Sequence, residues 1–345
     1  MELCLISDQM YIHRNRINTS ISKAQTLFFM NAALIQKAHK RIQKNTLLTP
    51  LLYSRELSKI VSGNVYLKLE SEQHTGSFKA RGSLNKIMSL SDAERHQGTV
   101  TASTGNHGLG FARACEISGA KGIVFLPQKA AQSKIDALGF YDVELKFHEG
   151  SSLDTEIFAK QFADENGKTW VSPYNDLEII AGQGTIGIEL MTQLEGIDNI
   201  CATVGGGGLI SGIASYVKDA DSDIAVIGCQ PVNSPEMSLS VEKGEITNLP
   251  TFIPTLSDGS AGGIEDGSIT FPICQSLIDD FILIKEEDIE KAIRFVAHTH
   301  HRIIEGAAGV SVAAVMTNKE RFKGQHTVII ICGGNIDIEL FKSII

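Results

Sequence analysis

Short runs rich in β-branched residues alternate along this chain with longer amphipathic ones, a pattern that helices layered on parallel sheets satisfy. The candidate strands are residues 65–69, 98–102, 122–126, 143–147, 200–204, 224–229, 281–284 and 327–331, most of them bounded by Gly or Pro. Helical patterning covers residues 153–166, 184–194, 209–220 and 286–300. The run from Val328 to Ile331 is continuously apolar, which suits a strand covered on both faces, as parallel strands are. Residues 248–272 are rich in Gly, Pro, Ser and Thr and predict a long loop of the kind that often carries function. Residues 1–30 show little organised periodicity and read as a weakly ordered extension.

A chain of 345 residues is longer than one hydrophobic core usually organises, so two domains are expected. A net charge of −9 argues against a broad surface for nucleic acid or anionic membrane, because such surfaces depend on clustered Lys and Arg. A small-molecule partner is the expectation. The six cysteines are spread singly with no CxxC pair, and they read as reduced thiols. No stretch reaches the ~18 uninterrupted apolar residues of a membrane span. The cytoplasm follows by elimination.

Four segments carry candidate chemistry. In Ser77-Phe78-Lys79-Ala80-Arg81-Gly82 the lysine follows a glycine turn and opens an amphipathic stretch, where its amine could be held inside a cleft. Taken alone, a lysine so placed is more often an exposed helix residue. A Schiff-base lysine needs its pKa lowered by burial or by neighbouring positive charge, which Arg81 offers. In Thr101-Ala102-Ser103-Thr104-Gly105-Asn106-His107-Gly108 a strand gives way to a helix. Hydroxyls, an amide and glycines at a helix N-terminus cradle a carboxylate, or equally well form a simple N-cap.

The third segment, Val204-Gly205-Gly206-Gly207-Gly208-Leu209, again joins a strand to a helix. Four adjacent glycines are costly in backbone entropy and are kept where the main chain must approach something closely, here a phosphate by preference over a flexible linker. Neither dinucleotide nor P-loop spacing occurs, so nucleotide binding loses its main support. The fourth, Cys332-Gly333-Gly334-Asn335, follows the last strand directly, at the strand end where open α/β sheets bind ligands. The histidines at 298, 300 and 301 lack the i, i+4 spacing of a metal pair, and no metal is expected.

Together, in this order, and joined by the A-G-Q-G-T run at 181–185 and S-D-G-S-A-G-G at 257–263, these segments resemble the serine/threonine dehydratase family of fold type II pyridoxal-phosphate enzymes, which also includes serine racemases. The likeness runs from about Asn31 to the C-terminus. It implies two three-layer α/β domains of the tryptophan synthase β-like architecture, with pyridoxal 5′-phosphate in the cleft between them. A small domain of residues 77–167 would be set into a large one formed by 31–76 and 168–345. By the same resemblance Lys79 carries the cofactor, Phe78 packs near its ring, Asn106 bonds its 3′-oxygen, and Gly205, Gly206, Gly207, Gly208 and Leu209 hold its phosphate. Cys332 stands opposite the pyridine nitrogen. Ser103, Thr104, Gly105 and His107 match the loop that grips the substrate carboxylate.

The activity so implied is elimination of the β-hydroxyl of L-threonine or L-serine to a 2-oxo acid and ammonia, with Lys79 as the base at Cα. A serine or aspartate-type racemase, a hydroxyaspartate ammonia-lyase and a β-replacement synthase are the alternatives on the same fold. Thr104 stands where racemases of this group use serine to deliver a proton on the opposite ring face, and threonine is stiffer at χ1. Gln230 replaces a glutamate that contributes to a cation site in some relatives. Family members are usually homodimers or homotetramers.

Overall fold

Strand order explains how segments so far apart in sequence come together. The computed structural model describes residues 30–345, so the extension expected at 1–30 lies, apart from Met30, outside the described residues. The strands are β1 (Leu51–Tyr53), β2 (Asn64–Leu69), β3 (Thr99–Ala102), β4 (Gly122–Pro127), β5 (Glu144–His148), β6 (Thr169–Trp170), β7 (Asn199–Thr203), β8 (Ala225–Pro231), β9 (Asp280–Ile284) and β10 (His326–Ile331). They form a six-stranded sheet in the order β1-β2-β10-β7-β8-β9 and a four-stranded sheet in the order β5-β4-β3-β6. Only β1 runs antiparallel to its neighbour; every other pairing is parallel. The result is an α/β fold with two parallel-sheet layers, each covered by helices.

Each strand expected from sequence is present, with its ends displaced by no more than two residues. The two that the pattern did not reveal, β1 and β6, are three and two residues long, too short to show any period. β6 pairs with β3 and so belongs to the four-stranded sheet, although Thr169 and Trp170 lie just past residue 167. The long loop is real from 244 to 269, interrupted by a single 3-10 turn at Asp258–Ser260. It ends slightly early, because Pro272 sits in the first turn of helix Thr270–Leu277, where a missing N–H costs nothing.

The sequence reading left some helices unmarked, Ala32–Ile42 among them, and two of the differences have a clear physical reason. Helix Leu177–Gln193 begins well before Gly184, with Asp176 as N-cap: its Oδ1 accepts from the N–H groups of Glu178 and Ile179. Its glycines do not weaken it because they are contact points. A Cβ on Gly212, in helix Gly208–Ala220, would lie 2.3 Å from the carbonyl oxygen of Ile180 and 2.6 Å from the amide nitrogen of Gly184. Helix Gly306–Thr317 gave no sequence signal because all ten residues from Gly306 to Val315 are buried, and a helix apolar on every side has no amphipathic stripe.

The main core lies around the six-stranded sheet, where Ile200, Val226 and Ile329 meet Ile213 and Val312. A second core under the four-stranded sheet joins Val124 and Leu126 to Leu84 and Ile87 of helix Lys79–Ser89 and Phe111 of helix Asn106–Ser118. The C-terminal ends of β3, β7 and β10 lead directly into the Ser103, Gly205 and Cys332 segments. The close helix crossing at Gly212 gives a direct test. Gly212→Ala is expected to destabilise the protein by about 1–3 kcal/mol through overpacking against fixed backbone, measured as a lowered urea midpoint at unchanged m-value.

Candidate active site

Lys79 opens helix Lys79–Ser89, and the residues before it are tied to the end of β10. Ser77 bridges Gly333, the N–H of Phe78 donates to the carbonyl of Cys332 at 3.0 Å, and that of Gly334 donates to the carbonyl of Gly76 at 3.0 Å. Asn106, at the start of helix Asn106–Ser118, is reached from the same strand end: Asn335 Nδ2 donates to Asn106 Oδ1 at 2.7 Å. This helix lies against the first, since a Cβ on Gly110 would meet the carbonyl of Lys79 at 2.9 Å. A Cβ on Gly82 would likewise meet the Gln183 side chain at 2.3 Å, which brings the 181–185 segment in.

The tetraglycine bend closes the circle. Lys79 Nζ donates to the carbonyl of Pro173 at 2.6 Å, and the next residue, Tyr174, lies over Gly206, where a Cβ would be 2.5 Å from its ring. On the other side a Cβ on Gly205 would meet the carbonyl of Ser260 at 2.8 Å. Gly207 has φ +87°, a left-handed conformation that glycine adopts without strain. Lys79, Phe78, Asn106, Gly205 to Gly208, Leu209 and Cys332 are thus gathered around the ends of β3, β7 and β10, with Ser103, Thr104 and Gly105 half-buried beside them.

Burial governs the charges here. It lowers the Lys79 amine to about 8, partly opposed by Glu156, Cys332 and Glu305. The sequence reading gave Arg81 a share in that shift, and the structure corrects it: the Arg81 guanidinium is held by carboxylates of its own. Nε donates to Glu70 at 2.7 Å and Nη1 to Glu189 at 2.6 Å, and Lys68 meets the other oxygen of Glu189 at 2.5 Å. All four side chains are at most 6% exposed. Arg81 therefore anchors the lysine helix to β2 and to helix Leu177–Gln193 and leaves little net charge for Lys79 to feel.

His107 is buried, and its Nε2 lies 3.1 Å from the carbonyl of Val171, an acceptor, so that nitrogen carries the proton. Its Nδ1 faces the Ser83 hydroxyl at 3.4 Å, and burial together with the Lys79 charge pushes it down to about 3. The ring is neutral and engaged with the small sheet, so it stiffens the loop and is not itself free to grip a carboxylate. Burial holds the Cys332 thiol well above its usual range, and the neighbouring Glu305 adds to that.

Sequence reasoning missed Glu305, Pro173, Tyr174 and Glu156. Glu305 sits just before the helix whose first ten residues are buried and showed no pattern, and its buried carboxyl accepts from Asn106 Nδ2 at 3.0 Å through both oxygens. Glu156, on helix Ser152–Glu165, is raised to about 7 by burial and by the neighbouring Glu265. A solitary acid preceding an apolar run was the only available signal for Glu305.

The residues present fit a phosphorylated aldehyde. Among the described residues none accepts from the main-chain N–H groups of Gly205, Gly206, Gly207 or Gly208 at the start of helix Gly208–Ala220, which suits an anion. The Ser77 hydroxyl is fully buried without a protein partner, and the Lys79 amine is desolvated as a nucleophilic lysine requires. Residues 42–333 match the family described as pyridoxal-phosphate dependent enzymes, and the chain belongs to that family. Its cofactor is pyridoxal 5′-phosphate.

Over 312 residues the chain is 39% identical to an L-threonine ammonia-lyase of Thermotoga maritima, an alignment that covers 90% of this chain and 77% of that protein. Among solved structures it is similar to the processed form of threonine deaminase isoform 2 from Solanum lycopersicum, with a TM-score of 0.90 and 28% identity over 99% of this chain and 98% of that one. It is also similar to maize serine racemase, with a TM-score of 0.85 and 29% identity over 91% and 96%.

The buried ion network yields a prediction separate from chemistry. Arg81→Met removes the cation from two buried carboxylates and is expected to lower stability by about 3–5 kcal/mol, read from denaturant unfolding monitored by circular dichroism.

Proposed function

We propose that this chain is an ammonia-lyase that eliminates the β-hydroxyl of a small hydroxy amino acid, L-threonine or L-serine, and releases a 2-oxo acid and ammonia. The observation that carries the reading is the Lys79 amine, desolvated within the ring of strand ends and lowered to about 8. The names of the lyase and the deaminase to which the chain is similar support the reaction and the substrate class.

Bound pyridoxal phosphate supplies an electron sink for the bonds at the substrate's Cα. Lys79 would hold it covalently, Phe78 would pack against it, the N–H groups of Gly205 to Leu209 would take its phosphate, and Asn106 and Cys332 would meet its ring. The substrate carboxylate is assigned to Ser103, Thr104 and Gly105 at the positive end of helix Asn106–Ser118. His107 serves that loop by fixing its shape. Lys79 Nζ, uncharged in a useful fraction near neutral pH, removes the Cα proton.

Cys332 stays a protonated thiol, so beside the ring it would offer no negative charge to a protonated ring nitrogen, which would favour loss of a β-leaving group over a long-lived carbanion. Racemisation is the second reading, on the similarity to maize serine racemase, with the half-buried Thr104 hydroxyl as the second proton donor. We also propose a small domain of 77–170, carried past the expected boundary at 167 because β6 pairs with β3, set into a large one of 31–76 with 171–345, assembly as a homodimer or homotetramer, and a cytoplasmic location. Among the described residues no helix is long and apolar enough to cross a membrane.

Lys79→Ala is expected to lower ammonia release from threonine and serine by at least ~10²-fold and to abolish the visible absorbance of the purified protein. Unchanged ammonia release would refute the assignment. Because only the uncharged amine reacts, the rate of cofactor uptake by resolved protein should rise about tenfold per pH unit below 8 and level off above it. Stopped-flow absorbance between pH 6 and 9 measures this. Chiral analysis of the residual serine separates elimination from racemisation.

A further inference from the structure

One side-chain amide in the site has its orientation dictated from outside. The carbonyl of Thr75 accepts from Asn335 Nδ2 at 2.8 Å, and a carbonyl can only accept, so that atom of Asn335 is the nitrogen. The same nitrogen lies 2.7 Å from Asn106, which must therefore turn its oxygen toward it. Asn106 Nδ2 then points the other way and needs an acceptor. Glu305 supplies two oxygens, each at 3.0 Å.

Glu305 is built in from several sides. Its carboxyl also accepts the main-chain N–H of Asn335 at 3.2 Å and lies 3.9 Å from Cys332 Sγ. A Cβ on Gly333 would fall 2.5 Å from Oε1, so only glycine at that position admits the carboxyl, and a Cβ on Gly259 would lie 3.5 Å from it. The side chain thus stands where the 103–108, 257–263 and 332–335 segments meet, and it links a residue of the four-stranded layer to one of the six-stranded layer.

We propose that Glu305 is a positioning residue of this site: it fixes the amide of Asn106, and through that contact sets how tightly the cofactor is held. The proposal rests on the assignment of Asn106 to the cofactor made above. Three titratable groups face Glu305 from neighbouring elements. Asp258 pushes its pKa up, Lys79 pulls it down, and Cys332 stays protonated. Burial is the largest influence and raises it to about 7, against the hydrogen bond from Asn106. As pH rises through 7 the acid becomes a carboxylate, whose charge-assisted bonds to the Asn106 amide are stronger than those of the neutral acid.

The test compares apparent dissociation constants for pyridoxal phosphate at pH 6 and pH 8, by equilibrium dialysis of resolved holoenzyme, for wild type, Glu305→Gln and Glu305→Ala. Glutamine mimics the neutral acid and keeps an acceptor for Asn106. Its affinity should match that of wild type at pH 6 and be about fivefold weaker at pH 8, the difference between a neutral and a charged hydrogen bond. Loss of the Glu305 charge also removes one influence that raises the Lys79 amine, which favours cofactor uptake, so weaker binding by Glu305→Gln at pH 8 does not come from Lys79. Alanine should weaken binding about tenfold at pH 6 and about fiftyfold at pH 8, because its ratio to the glutamine variant does not change with pH. A ratio for Glu305→Gln that does not change with pH overturns the proposal, as does wild-type affinity in Glu305→Ala. Should the alanine variant fail to fold by circular dichroism, the glutamine ratio decides alone. A wild-type protein that takes up no cofactor would instead refute the functional reading itself.

Discussion

Two cations and two carboxylates buried together hold the helix that begins at Lys79 in place. Arg81 lies two residues after Lys79, and its guanidinium is clamped by Glu70, just past the end of β2, and by Glu189 of helix Leu177–Gln193, with Lys68 completing the group. Isolated charges at that depth would cost many kcal/mol, so each requires the others and the arrangement tolerates little displacement. Because the group is close to neutral as a whole, it restrains the helix that begins at Lys79 without dictating the charge on its amine. Desolvation does that.

Around this anchor the site is made almost entirely of strand ends and glycines. β3, β7 and β10 deliver three loops to one place, as parallel sheets do at their carboxyl edges. The glycines at 82, 205, 206, 212 and 333 each sit where a Cβ would strike a neighbouring group within 3 Å. Their value is mutual approach: helix against helix at Gly212, loop against Tyr174 at Gly206, and strand end against Glu305 at Gly333. A site assembled in this way is specified by what is absent from the side chains as much as by what is present.

Much of this was legible in the sequence, and the illegible part has identifiable causes. The strands announced themselves because parallel strands are apolar on both faces and bounded by turn residues, the glycine segment because four adjacent glycines are costly elsewhere, and the lysine and amide segments through the order in which they occur with it. The same logic hid helix Gly306–Thr317, which is buried on every side from Gly306 to Val315 and has no stripe to read. With it went Glu305. The role of Arg81 was misread because a sequence shows a charge close by in number but cannot show that two distant acids, at positions 70 and 189, neutralise it in space. His107 fell inside the recognisable loop, yet its ring turns toward Val171, an outcome that depends on β6, a strand of two residues.

The thiol of Cys332 bears on how such a protein survives in its surroundings. Alkylating agents and peroxides react with thiolates, and a sulfur kept protonated by burial and by a neighbouring acid offers them almost none. The other described cysteines, at 115, 201, 229 and 274, are buried as well. A sulfur atom can therefore sit at the heart of the site without making it a target for oxidants, which removes the ordinary penalty of using cysteine where a hydroxyl would serve.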